Sequence, residues 1–363
     1  MSSDTATPMN VADLSATLKR AAADGRSLGV SGAGTKLEQG ADPTSRDLMI
    51  STSNMTRVLE HAAGDLVVTA QAGVPLAALQ EQVASAGQWL ALDPPEAGAT
   101  VGGVVAAAAS GPRRLLYGTP RDLLIGVTVV LADGTVAKSG GKVVKNVAGY
   151  DLGKLFTGSF GTLGVIAECT FRLHPLPVAR RVITSTVEEP AIAARKVLAT
   201  GAVPSAIEWD GQTLVTVIES IESACGAQAA DVVAAVGGDV SNQLPPGFGQ
   251  RPASPVLLKV THRLGALRDA LTAVSSRLPG SAVRAHAASG VVWVGADDLT
   301  QLDSLRGRAA ELDGGVVVVR APAEMKAAVD VWGPARGIDV MRRIKDQFDP
   351  DRRMSPGRFV GGI

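Results

Sequence analysis

The sequence predicts an α+β protein: an N-terminal domain of mixed strands and short helices, then an α/β cap with an antiparallel sheet covered by helices. Three observations carry this expectation. Apolar residues make up 46% of the 363, but aromatics only 3%, so the core is built from small aliphatic side chains. Short apolar runs of strand length alternate with helical periods along the first half. After Pro177 glycine loops become rare, and a strand–helix–strand–strand–helix pattern runs twice over residues 178–320. Such units pack as one antiparallel sheet with helices on it.

The elements follow in order. In "VADLSATLKRAAAD" (11–24), Val11, Leu14 and Leu18 share one helical face. "RSLGVSG" reads as a strand ending in a glycine loop, and "DLMISTSNM" (47–55) and "LVVTAQAGV" (66–74) read as strands. "PLAALQEQVASAGQ" (75–88) is a helix with Pro75 in its first turn and Gly87 at its end. "LLIGVTVVLADGTVAKSG" (123–140) is a hairpin turned by Asp133-Gly134. "YDLGKLFTGS" is a short helix, and "GTLGVIAECTFRLHPLP" (161–177) is a strand closed by prolines. In the cap, a strand (181–187), a helix (189–200), two strands (205–218) and a helix (222–236) precede the loop 243–254; the same series then returns. A last helix, "GIDVMRRIKDQF" (337–348), leads into "DPDRRMSPGRFVGGI". The expected domains are 1–177, the cap 178–320 and a returning C-terminal segment 321–363.

Composition excludes several functions. Lys+Arg and Asp+Glu are both 35, and this zero balance argues against a non-specific nucleic-acid binder. The two cysteines, Cys169 and Cys225, form no Cys-x-x-Cys, which excludes an iron–sulfur cluster or a cysteine-held zinc. "MSSDTATPMN" lacks the layout of a signal peptide, and "ATVGGVVAAAAS" (99–110) is too short and glycine-rich to span a bilayer. A cytoplasmic location is expected. His61, His174, His262 and His286 are scattered, so no metal site is expected.

Chemistry is signalled by small residues. "GVSGAGTKLEQG" (29–40) follows a strand, but it lacks the third glycine of a dinucleotide fingerprint and the Gly-Lys-Ser/Thr of a Walker loop. What remains is a run of N–H groups able to converge on an anion, with Ser31, Thr35 and Lys36 beside it; a tight structural turn is the alternative. "DPPEAGATVGGVVAAAASGPRRLLYGTPRD" (93–122) and "GGKVVKNVAGYDLGKLFTGSFGTLGVI" (140–166) share this economy. Either something large approaches the backbone, or helix and sheet pack tightly.

In this order, the segments resemble the PCMH-type FAD-binding fold of the vanillyl-alcohol oxidase family, a domain of two α+β subdomains. The resemblance covers most of residues 10–177 and the tail 330–360. It implies non-covalent FAD, since no histidine stands in the loop where covalent members attach it. The implied cofactor contacts are Ser31, Gly32, Ala33, Gly34, Thr35 and Lys36 of the first loop. Pro95, Ala99, Thr100, Gly102, Gly103, Ser110 and Gly111 follow, then Tyr117, Gly118 and Asp122, and finally Gly161, Gly164, Val165 and Ile166. "SGPRRLLYG" and "KVVKNVAGYDLGKLFTGSFGTLGV" are most similar to the E-type subunits of bacterial glycolate oxidases. That implies oxidation of a small 2-hydroxy acid such as glycolate. The implied partners are a D-type FAD subunit and an iron–sulfur subunit, with any contact to the inner membrane made through them. Catalytic residues stay unknown. A stand-alone FAD oxidoreductase with its substrate under the cap is the alternative.

Two departures from the fold's usual pattern stand out. Phe160 occupies a position often held by glutamate, and Ser355 one often held by asparagine. Arg113, Arg114 and Arg121 are candidates to stabilise reduced flavin, or else they pair with carboxylates such as Asp122 or stay solvated. Asp151 caps a helix or acts as a base, and Lys145 either approaches the flavin or is exposed. The His- and Glu-containing metal motif of D-type caps is absent.

Overall fold

The structure is a computed structural model and describes residues 4–141 and 151–363. The chain divides into two compact units. One comprises residues 1–110, 119–176 and 335–363, and the other 111–118 and 177–334.

The first unit holds two main sheets. Strands Asp4–Ala6, Leu48–Ser51 and Leu28–Ser31 make a small parallel sheet, with Leu48–Ser51 in the centre. The other is antiparallel, in the order Val58–Ala62, Val67–Gln71, Val165–Arg172, Leu124–Val130 and Val136–Gly140. The expected hairpin is therefore present, and Gly134 takes the left-handed conformation its turn requires (φ +83°). Helix Val11–Ala23 buries Leu14 and Leu18 completely, as its period predicts, and Asn10 caps its first turn. Both side chains join a core with Leu28, Ile50, Val130, Val165 and Met354. Helix Leu152–Phe156 begins at Asp151, whose side chain accepts from the Lys154 N–H, so the capping role holds. Lys145 lies outside the described residues.

The second unit is one eight-stranded sheet, antiparallel throughout. Its order is Asp239–Ser241, Ala179–Thr186, Thr213–Ser220, Ala206–Trp209, Ala282–His286, Val291–Ala296, Val256–Thr261 and Gly315–Arg320. Each half has one wiring: first strand beside third, third beside second. The halves meet through their second strands, at Glu208↔His286 and Trp209↔Ala285. The repeated sequence pattern is thus a duplicated fold, arranged as a pseudo-twofold. Helices Pro190–Leu198, Glu222–Val236, Leu267–Arg277 and Leu302–Glu311 accompany the strands in the order the periodicity predicts.

Candidate functional site

In the first unit a cleft of about 700 Å³, counting its open mouth, forms where the loop after strand Leu28–Ser31 meets two other segments. The loop supplies Ser31, Gly32, Ala33, Gly34, Thr35 and Lys36, all predicted from sequence. Thr100, Gly102 and Gly103 form a second wall, and Gly161, Gly164 and Ile166 a third. Pro95, Ala99, Ser110, Asp122 and Val165 are outside the lining.

The glycines have separate reasons. Gly34 has φ +77°, and a Cβ there would meet only the Leu37 side chain, at 3.4 Å. Its requirement is conformational. Gly32 is different: a Cβ would come within 2.1 Å of Thr100 Oγ1. At Gly102 it would strike Ala72, with Cβ at 2.5 Å and the carbonyl oxygen at 3.0 Å. At Gly164 it would press on the Val130 carbonyl, at 2.8 Å. At these three positions protein packs on protein, which is the second of the two readings the sequence leaves open. Tight packing sets the walls, and the walls then frame the cleft.

The cleft suits an anion bearing polar groups. Among the described residues, none accepts from the N–H groups of Ala33, Gly34 or Thr35. The Ser159 hydroxyl lines the cleft, buried and without a hydrogen-bond partner among the described residues. Lys36 is less available than its sequence position suggests, because its ammonium is ion-paired with Glu96. A second cation comes from Arg358 of the C-terminal tail. Burial pushes its guanidinium below the ordinary value, Arg46 adds to this, and Asp42 opposes it. Phe160, at φ +53°, also lines the cleft and stacks on Phe359 with ring centroids 5.7 Å apart. Phe160 thus exchanges a possible charge for contact with the tail. Sequence reasoning missed Arg358 and Ser159: one is a lone arginine more than 300 residues from the loop, the other one serine in a small-residue run.

Residues 4–140 match the family model for an FAD binding domain. This stretch is an FAD-binding domain. Thr100 and the loop 31–36, two of the cleft's three walls, lie within it. The unpaired loop N–H groups and the buried Ser159 hydroxyl fit that cofactor's phosphates and polar edges. Among curated relatives, the glycolate oxidase subunit GlcE of Escherichia coli is 42% identical over 124 residues, 34% of this chain and 35% of its own length. The glycolate oxidase subunit GlcD of Bacillus subtilis is 37% identical over 192 residues, 52% of this chain and 41% of its own. The D-lactate dehydrogenase of Archaeoglobus fulgidus is 41% identical over 168 residues, 46% of this chain and 38% of its own. The chain therefore spans less than half the length of these relatives. A solved structure of alkyldihydroxyacetonephosphate synthase superposes with a TM-score of 0.69 at 15% identity, covering 98% of this chain and 77% of that one. Nearly the whole chain thus shares its fold with that structure.

The second unit relocates the arginines. Gly111, Arg113, Arg114, Tyr117 and Gly118 all cluster with it. Arg113 grips Glu219 with two hydrogen bonds, 2.9 and 2.8 Å, and Arg180 adds a third at 3.0 Å. Of the readings open for Arg113, pairing with a carboxylate is the one these contacts carry. The partner is Glu219 rather than Asp122, which instead accepts from the N–H and hydroxyl of Thr119. Burial would raise the Glu219 carboxyl, but Arg113, Ser205 and Arg180 outweigh it and hold the group below its ordinary value. Burial and the Glu219 charge push the Tyr117 phenol up to about 12. Arg121 is exposed. Arg114 acts on His286. Burial chiefly, then Arg114, Arg251 and Lys259, drive that imidazole down to about 3. Glu208 Oε1, 3.9 Å from Nε2, is too distant to hydrogen-bond it.

Proposed function

We propose that this chain is an FAD-dependent oxidoreductase of small 2-hydroxy acids, working as the E-type FAD subunit of a glycolate-oxidase-like complex. The observation that carries the reading is the cleft at loop 31–36, framed by the FAD-binding domain and joined to relatives named for glycolate and D-lactate. When bound, FAD accepts two electrons from the hydroxyl-bearing carbon of a substrate. The loop N–H groups and the Ser31 and Thr35 hydroxyls would hold its pyrophosphate by hydrogen bonds, without a covalent link. Gly102, Gly103, Ala106 and Ala107 leave a wall low enough for a planar ring to lie against it. Ser159 gives a buried hydroxyl to a polar edge. As such a subunit it passes its electrons to partners, a D-type FAD subunit and an iron–sulfur subunit, since its own two cysteines form no iron–sulfur site.

A second reading, a self-sufficient dehydrogenase, draws on the comparable identity to GlcD and to D-lactate dehydrogenase. One experiment separates the two. The purified chain, alone and then with D-type and iron–sulfur partners, is given glycolate or D-lactate with an electron-accepting dye. Dye reduction only in the assembly supports the subunit. Turnover by the lone chain at ordinary enzyme rates, roughly 1–1000 per second, supports the stand-alone enzyme.

A further inference from the structure

We infer that Arg358 is the positioning residue of the phosphate-binding loop: it clamps the carbonyls of the turn that leaves the loop, which holds the loop's N–H groups towards the cofactor. Its Nη2 lies 2.9 Å from the Lys36 carbonyl oxygen, 3.3 Å from that of Leu37 and 3.2 Å from that of Gln39. The side chain is buried. The carbonyls it holds belong to the stretch that leaves the loop, directly after the Ala33, Gly34 and Thr35 N–H groups. The Gly34 carbonyl accepts from the Leu37 N–H and the Lys36 carbonyl from the Gln39 N–H, so this stretch is a turn that one guanidinium clamps from its carbonyl side. Without that donor the turn would give carbonyl bonds to water, and the N–H groups before it would lose their fixed direction. The neighbouring backbone fixes Arg358 in turn. Ser355 N–H donates to Leu28 O, Thr44 N–H to Pro356 O and Ala41 N–H to Arg358 O, at 2.8, 2.8 and 3.1 Å. The tail is thus laced along both ends of the loop.

The inference rests on the FAD assignment and goes beyond it, since Arg358 acts through the loop rather than as a counter-charge. The test is FAD binding to the full-length apoprotein, followed by flavin fluorescence, with riboflavin as the ligand that lacks pyrophosphate. Arg358→Ala should weaken FAD by about 100-fold, the loss of one or two charge-assisted hydrogen bonds. Riboflavin affinity should stay within about twofold. Arg358→Lys keeps the charge but is one bond shorter, and should remain about tenfold weaker than wild type. If Arg358→Lys binds FAD like wild type, charge alone matters and the positioning role is overturned. An Arg358→Ala protein that loses riboflavin as much as FAD, or whose apoprotein no longer folds by circular dichroism while Arg358→Lys binds normally, also overturns it. Wild-type protein that binds no FAD overturns both this role and the cofactor.

Discussion

Acidification offers a quantitative test of the second unit. His286 is buried at the seam between the duplicated halves, and its imidazole falls from 6.5 to about 3. The folded form therefore keeps it neutral throughout mild acid, while the unfolded chain protonates it below 6.5. Stability from this group is complete above pH 6.5, falls as pH drops below that value, and levels off near 3. At about 1.4 kcal/mol per pH unit, going from pH 7 to pH 5 removes about 2 kcal/mol. Urea unfolding at the two pH values, followed by tryptophan fluorescence, measures it. The signal reports mainly this unit, which contains Trp209, Trp293 and Trp332, against Trp89 alone in the other. His286→Gln is the control. Other titrating groups, including His174 and His262, cancel in the difference between the two proteins. Wild type should lose about 2 kcal/mol more than the variant. Equal losses, within about 0.5 kcal/mol, would mean that the imidazole is hydrated or protonated in the fold, and the reasoning would fail.

Three further outcomes are expected. Glu219→Gln leaves Arg113 and Arg180 without their buried counter-charge, and should cost the second unit about 3–5 kcal/mol in the same urea experiment. Gly34→Val places a β-branched residue at φ +77°, and should abolish stoichiometric FAD uptake, read from the visible spectrum, while the far-ultraviolet circular dichroism is kept. Acid precipitation of the yellow protein should release all flavin to the supernatant; colour retained in the pellet would mean a covalent bond.

Much of the fold is legible in the sequence because single periods carry it. Leu14 and Leu18 point inward as their spacing says, Asp133-Gly134 turns its hairpin, and the repeated pattern after Pro177 becomes a duplicated sheet. The phosphate loop is legible for a similar reason: its small residues are consecutive. What the sequence hides are contacts between distant positions. Gly102 looks like a ligand contact, but it is small because Ala72 presses on it. The sequence foresees pairing for Arg113, but not its partner Glu219, 106 residues away. Arg358 has no periodic context, so its meaning exists only once the tail returns to the loop.

That return has a consequence for biosynthesis. Arg358 and the loop carbonyl it holds at Lys36 are 322 residues apart, and the bulk of the second unit is translated between them. A ribosome adding about 5–20 residues per second needs on the order of tens of seconds to cover that distance. Throughout this interval the nascent chain carries the loop without its arginine. If Arg358 positions the loop, tight flavin capture waits for release of the tail from the exit tunnel, and a chain truncated before residue 358 should bind FAD as weakly as Arg358→Ala.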